Sequence, residues 1–123
     1  RMSKKVLIVD DEPNIVISLE FLVKKEGFTV AVAGDGEEAL AKVAEFSPDL
    51  ILLDVMMPKK SGFEVCEALR ADPARSGLKI IMLTAKGRDT EMAKGLALGA
   101  DAYMTKPFST KDLIARIREV LAA

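Results

Sequence analysis

Five short apolar runs punctuate the chain, and a helix-period segment follows each of them. The runs are Lys5–Val9, Thr29–Ala33, Leu50–Leu53, Lys79–Leu83 and Asp101–Met104. Each is four or five residues long, and most are nearly continuous stretches of Val, Ile and Leu. A strand with one wet face alternates apolar and polar residues. A continuous run belongs to a strand covered on both faces, which is the situation inside a parallel sheet. Between the runs, Ile15, Leu19, Leu22 and Val23 fall on one helical face, as do Leu113, Ile114, Ile117, Val120 and Leu121. Ser61 with Glu64, Asp35 with Glu38, and Ser109 with Asp112 have capping-box spacing or a near variant. Gly27 and Gly99 stand where helix C-caps belong. Five β-then-α units predict an α/β fold, a parallel five-stranded sheet with helices on both faces. The 123 residues suit one domain, 1–123, with a core that needs no disulfide.

Composition removes several classes of function. There is no histidine, so no histidine base, nucleophile or metal ligand is available. The chain therefore cannot itself be a histidine kinase or a histidine phosphotransfer protein. The single cysteine, Cys66, excludes an intrachain disulfide and suits a reducing cytoplasm. A net charge of −1 argues against direct nucleic-acid binding. No stretch approaches the roughly 18 apolar residues of a membrane span. Val6 to Val9 is too short for a signal peptide, and Arg1, ahead of Met2, reads as an addition to the natural chain. No output domain follows the fifth helix within these residues, so a free-standing regulator and part of a longer protein both stay open.

The chemistry lies in what ends each run. In open α/β sheets ligands sit at the carboxyl ends of the strands, where strand order reverses. Strand one ends in Asp10, Asp11 and Glu12, strand three in Asp54, strand four in Thr84, and strand five in Thr105, Lys106 and Pro107. If the order is 2-1-3-4-5, Asp10, Asp11 and Asp54 converge. Three such carboxylates repel one another, and a hard divalent cation together with Lys106 relieves them. Thr84 adds a hydroxyl that can donate to a bound oxyanion. Each piece alone has an ordinary reading. Asp10 and Asp11 could cap the helix starting at Pro13, Asp54 could be a turn residue, Thr84 a satisfied strand-end hydroxyl, and Lys106 a solvated lysine. The coincidence at four different strand ends favours a site.

The segments Val6–Pro13 (VLIVDDEP), Leu50–Glu64 (LILLDVMMPKKSGFE), Ile80–Lys86 (IIMLTAK) and Gly99–Phe108 (GADAYMTKPF) closely resemble the receiver domains of bacterial response regulators. The intervals also fit: 44 residues from Asp10 to Asp54, 30 more to Thr84 and 22 more to Lys106. The resemblance covers essentially the whole chain. It implies a flavodoxin-like, doubly wound sheet of order 2-1-3-4-5 with five helices, cytoplasmic and chemotaxis-regulator-like. It implies that Asp54 accepts a phosphoryl group from a sensor histidine kinase or histidine phosphotransfer protein. Asp11, Asp54 and the Met56 carbonyl would hold Mg²⁺ (or Mn²⁺), with Asp10 acting mainly through water. Thr84 and Lys106 would grip the phosphoryl oxygens, Ala85 would leave them room, and Lys106–Pro107 would be cis. Tyr103 would turn inward as Thr84 moves, changing the surface of helix 4, strand 5 and helix 5. Lys94, Asp101, Lys111, Asp112, Arg116 and Arg118 could make that surface a charged pairing face. Ala102, where many such receivers carry a second acid, leaves the choice between monomer and weak phosphorylation-dependent dimer open.

Two rival readings share parts of this pattern. A flavin mononucleotide carrier of the same fold needs a phosphate-binding first turn, but Asp10, Asp11, Glu12 and Pro13 would repel one. A hydrolase of the haloacid-dehalogenase type carries a second Asp two residues after its nucleophile, where this chain has Met56. Met56 and Met57 are expected to fill gaps, Cys66 to be a buried hydrophobe on the third helix, and Phe21, Phe28, Phe46 and Phe63 to be core or core-edge residues.

Overall fold

The computed structural model describes residues 3–85 and 89–123. Its strands are β1 (Lys5–Val9), β2 (Thr29–Ala33), β3 (Leu50–Asp54), β4 (Lys79–Ala85) and β5 (Ala102–Lys106). Its helices are α1 (Pro13–Lys25), α2 (Gly36–Phe46), α3 (Gly62–Ala71), α4 (Asp89–Ala97) and α5 (Thr110–Ala122), with a short 3₁₀ turn at Pro73–Arg75. All strand pairs are parallel and the order is β2-β1-β3-β4-β5, as the alternation of runs and helices predicts.

Side chains on a strand alternate between the faces of the sheet, so continuous apolar runs feed two cores at once. Leu7, Val9, Ile51, Leu53, Ile80 and Met82 pack with Ala39 and Val43 of α2 and with Val65, Cys66 and Leu69 of α3. Val6, Ile8, Leu50, Leu52, Ile81 and Leu83 pack with Leu19 and Val23 of α1 and with Leu113, Ile117 and Val120 of α5. Every residue of the two apolar helical stripes is buried or packed against a core. Cys66 is fully buried, and that burial pushes its thiol pKa up.

The caps follow the spacing. Ser61 accepts the Glu64 N–H and the Glu64 carboxylate accepts the Ser61 N–H, a reciprocal box at the start of α3. Asp35 accepts from Glu38 N–H, while the Glu38 carboxylate reaches back to Gly34 N–H. Ser109 accepts from Asp112 N–H. Pro13 opens α1 without a side-chain cap on Glu12, so neither Asp10 nor Asp11 is its N-cap residue. Gly27 (φ 96°) and Gly99 (φ 110°) close α1 and α4 in a conformation that L side chains resist. At the amino end of the sheet, Arg70 donates to the carbonyls of Gly99 (2.8 Å) and Leu78 (2.7 Å) and to the Asp101 carboxylate (2.8 Å).

Several expectations need correction. β3 runs one residue further, through Asp54, and β4 two further, through Ala85, because the backbone ladder continues where apolarity stops. β5 starts at Ala102, and Asp101 instead places its carboxylate on the Ile80 N–H and on Arg70. Phe21 is 70% exposed, since it lies across the helix from the Leu19–Val23 stripe. Phe28, Phe46 and Phe63 are half-buried as expected, under the cations of Arg118, Lys5 and Lys94. Met57 packs on the core, but Met56 is 66% exposed. Of the six charged residues that could make one pairing face, Arg118 binds Glu26, Asp101 binds Arg70, and Lys94 covers Phe63. No helix among the described residues is long and apolar enough to cross a membrane.

Leu52→Ala should cost about 2–5 kcal/mol, because a fully buried side chain leaves a cavity between sheet and helices. Phe21→Ser should stay within about 0.5 kcal/mol of the parent. Urea unfolding of the two variants measures both values, and a large loss in Phe21→Ser would contradict its exposure.

Candidate functional site

β1 lies between β2 and β3, so the connection leaving β1 and the one leaving β3 part to opposite sides of the sheet. That crevice is where the topology concentrates chemistry. Val9 pairs with Leu53, so the next residues, Asp10 and Asp54, arrive side by side. The Asp10 N–H still donates to Ala33 O at 3.2 Å, and the Val55 N–H to Leu83 O at 3.1 Å, so both acids are held on ladder backbone. Among the described residues, the buried polar or charged ones are Asp10, Asp54 and Thr84, at 1%, 7% and 1% exposure. All three lie at this end of the sheet.

Carboxylate oxygens of Asp10, Asp11 and Asp54 lie within 4.8 Å of one another, with Asp11 exposed at the rim. Lys106, at the end of β5, donates to Asp10 at 2.8 Å and to Asp54 at 3.2 Å. Asp10 uses its other oxygen to accept the Glu12 N–H at 3.0 Å. Thr84 has a buried Oγ with no hydrogen-bond partner among the described residues, a condition that ordinarily costs about 1–3 kcal/mol. A cavity of ≈ 430 Å³ opens over this group, lined by Asp11, Glu12, Asp54, Met56, Thr84, Ala85, Lys106 and their neighbours. Ala85 ends β4 on the exposed side of Thr84. The Lys106–Pro107 peptide is cis, as expected.

The electrostatics follow from this crowding. Burial pushes the Asp54 pKa up to about 6, and the charges of Asp10 and Asp11 push the same way against Lys106. Burial alone would lower Lys106, but its hydrogen bond to Asp10 and the charges of Asp54 and Asp10 outweigh this and raise it. Among the described residues, Lys106 thus pairs with two of the three clustered carboxylates, all of them hard oxygen donors. Such a set fits a small divalent cation. The orphaned Thr84 hydroxyl fits an added oxyanion.

Of the residues singled out in the sequence, Asp11, Asp54, Met56, Thr84, Ala85 and Lys106 line one cavity, and the buried Asp10 joins them through its bond to Lys106. Pro107 borders a different cavity, of ≈ 690 Å³, between β5 and α5, which Tyr103 also lines with Met92 and Arg116. Tyr103 pairs with Met82 and packs against the core beneath α4. Sequence reasoning passed over Gly62. A Cβ there would stand 2.4 Å from Asp54 O, and its N–H donates to Val55 O at 2.8 Å. A glycine eight residues after the acid was the available signal.

The model of the response regulator receiver domain matches residues 6–118. The chain belongs to that family. The receiver is 49% identical over 120 residues to the alkaline phosphatase synthesis transcriptional regulatory protein PhoP of Bacillus subtilis, covering 98% of this chain and 49% of that protein. It is 48% identical over 117 residues to the DNA-binding response regulator MtrA of Mycolicibacterium smegmatis, covering 95% of this chain and 50% of that protein. The receiver thus spans about half the length of the curated relatives it matches. Among solved structures, the chemotaxis protein CheY4 of Vibrio cholerae superposes with a TM-score of 0.90 at 35% identity, covering 96% of this chain and 98% of that one. Receivers of this family take a phosphoryl group on an aspartate from a histidine kinase and act as signalling domains. Membership decides against the flavin-carrier and hydrolase readings.

The raised Asp54 pKa has a consequence for the metal-free receiver. A carboxyl whose folded pKa stands above its unfolded value near 3.8 holds its proton more tightly when folded. Stability is then lost as pH rises from about 4 to about 6. In EDTA, Asp54→Asn should match wild type near pH 4 and exceed it above pH 7 by on the order of 1–2 kcal/mol. Thermal midpoints across that range test it, and a pH-independent difference would refute the shift.

Proposed function

We propose that Asp54 is the phosphoryl acceptor of this receiver and that residues 1–123 form one switch domain. The observation that carries this reading is the convergence of Asp10, Asp11 and Asp54 on Lys106, beside the partnerless Thr84 hydroxyl. The donor is a phosphohistidine of a sensor histidine kinase or a histidine phosphotransfer protein. An Asp54 oxygen attacks phosphorus, a P–O bond forms, and the P–N bond to imidazole breaks. Two anionic partners must approach, so positioning and charge neutralisation dominate the catalysis. Lys106 is near enough to shift from Asp10 and Asp54 onto a phosphoryl oxygen. Thr84 can donate to a second oxygen and so acquire its missing partner. Ala85 leaves space beside it.

Mg²⁺, or Mn²⁺, would be held by Asp11, Asp54 and the Met56 carbonyl, and when bound supplies the positive charge that lets acid and phosphate meet. Asp10 supports the site at one remove, since Glu12 N–H and Lys106 already occupy its two oxygens. The receiver catalyses only its own phosphorylation and dephosphorylation. It works in the cytoplasm, without nucleic-acid or membrane contact of its own, as a monomer or a weak phosphorylation-dependent dimer.

With acetyl phosphate and Mg²⁺, intact mass should show one phosphoryl group on wild type. Asp54→Asn, or wild type in EDTA, should show almost none. Labelling of Asp54→Asn, or of wild type in EDTA, equal to that of wild type with Mg²⁺ would sink the assignment.

The readout couples Thr84 to Tyr103. Thr84 pairs with Thr105, and Met82 with Tyr103, so all four residues share one face of the sheet. When Thr84 turns toward a bound phosphate, the Tyr103 ring turns inward behind it and reshapes the surface of α4, β5 and α5. Tyr103 is the sole tyrosine and there is no tryptophan. Beryllofluoride with Mg²⁺ should therefore change its emission and solvent quenching. Thr84→Ala should weaken the response. An unchanged wild-type signal at saturating beryllofluoride would rule out the coupling.

A further inference from the structure

The connection from β3 to α3, residues 55–61, carries Met56 to the rim of the acidic cavity. It is pinned at its base, where the Gly62 N–H donates to Val55 O at 2.8 Å. Its apex is held differently. Lys59 adopts φ 68°, a left-handed conformation that costs a non-glycine residue about 1 kcal/mol or more and persists only when its surroundings impose it. The surroundings lie on another element. Gly36, the first residue of α2, is buried against the backbone of Lys60. A Cβ on Gly36 would stand 2.3 Å from Lys60 O, 2.5 Å from Lys60 Cβ and 2.9 Å from Lys60 C. These are main-chain atoms and the root of a side chain, so nothing flexible can yield. Asp35 and Glu37 flank Gly36 and reach Lys59 Nζ at 3.5 and 3.9 Å. Those pairs are exposed and individually weak, so the steric seat carries the constraint.

Resting on the phosphorylation-site reading, we propose that Gly36 is a positioning residue for that site. Helix α2 has no side chain on the cavity. Its amino terminus nevertheless sets where the apex of the β3–α3 connection rests, and through that short, doubly anchored segment it sets the peptide at Met56. Only glycine permits the seat. Any larger residue pushes Lys60 outward and swings the segment about its base at Gly62, which misplaces one edge of the oxygen cluster. A displacement of about 1 Å at a catalytic edge is enough to cost up to about 100-fold.

Magnesium chloride titrations followed by calorimetry, and by the shift in thermal midpoint, measure the effect without relying on phosphorylation. Gly36→Ala should weaken Mg²⁺ binding about ten-fold and slow labelling by acetyl phosphate in proportion. Val43→Ala removes packing from beneath the same helix and leaves the seat intact. It should lower the thermal midpoint with an unchanged Mg²⁺ affinity. Lys60→Gly alters the opposite side of the contact without touching α2. The freed apex should lose Mg²⁺ affinity by a few-fold, which keeps the test open if Gly36→Ala does not fold. Wild-type Mg²⁺ affinity in both Gly36→Ala and Lys60→Gly, or an equal loss in Val43→Ala, would overturn the proposal. If wild type itself neither binds Mg²⁺ nor takes up phosphate, the site reading fails instead.

Discussion

Three carboxylates crowd together at the carboxyl end of the sheet, two of them sharing the Lys106 ammonium, and the surrounding backbone keeps them there. Asp10 and Asp54 are largely shielded from solvent, so water screens them poorly and their repulsion adds to the cost of burial. Lys106 offsets part of it by touching both. The rest is imposed by structure: the parallel register of β1 on β3, the ladder bonds that continue past both acids, and the closed connection behind Asp54. A chain free to relax would separate these groups. This one is held near a charge arrangement that a cation and a phosphoryl group would complete.

The elements of the fold were legible because buried parallel strands leave an unambiguous trace, continuous apolarity of about five residues. The helices left theirs as one-sided stripes with Ser or Asp at the start. The limits of that trace are physical. Apolarity stops at Leu53 and Leu83, but the backbone ladder carries on through Asp54 and Ala85, because a peptide group pairs regardless of its side chain. Asp101 showed the converse. Its carboxylate takes up the Ile80 N–H, so the residue belongs to the turn and not to the strand. Phe21 shows that apolar character alone does not place a residue inside, since its angle on α1 points it away from the Leu19–Val23 stripe.

The site was legible to the degree that it is built from strand ends. A strand end is a position the sequence marks, and register converts position into proximity. What stayed hidden depends on elements distant in sequence. That Thr84 lacks a partner among the described residues, that Gly36 underlies Lys60, and that Arg118 binds Glu26 are facts of packing. Charges on a helix surface were the least legible, because a long side chain selects among several partners for small differences in energy.

The two ends of the sheet are built from unlike materials. At the amino end, Arg70 ties α3 to the segments entering β4 and β5 through two main-chain carbonyls and the Asp101 carboxylate, and Gly99, by carrying no Cβ, leaves the room that its side chain occupies. At the carboxyl end stand a hydroxyl without a partner and a lysine divided between two acids. Arg70 thus braces the entry to β4 and β5 with fully matched donors and acceptors, while the groups at the opposite end are left with bonds still to make.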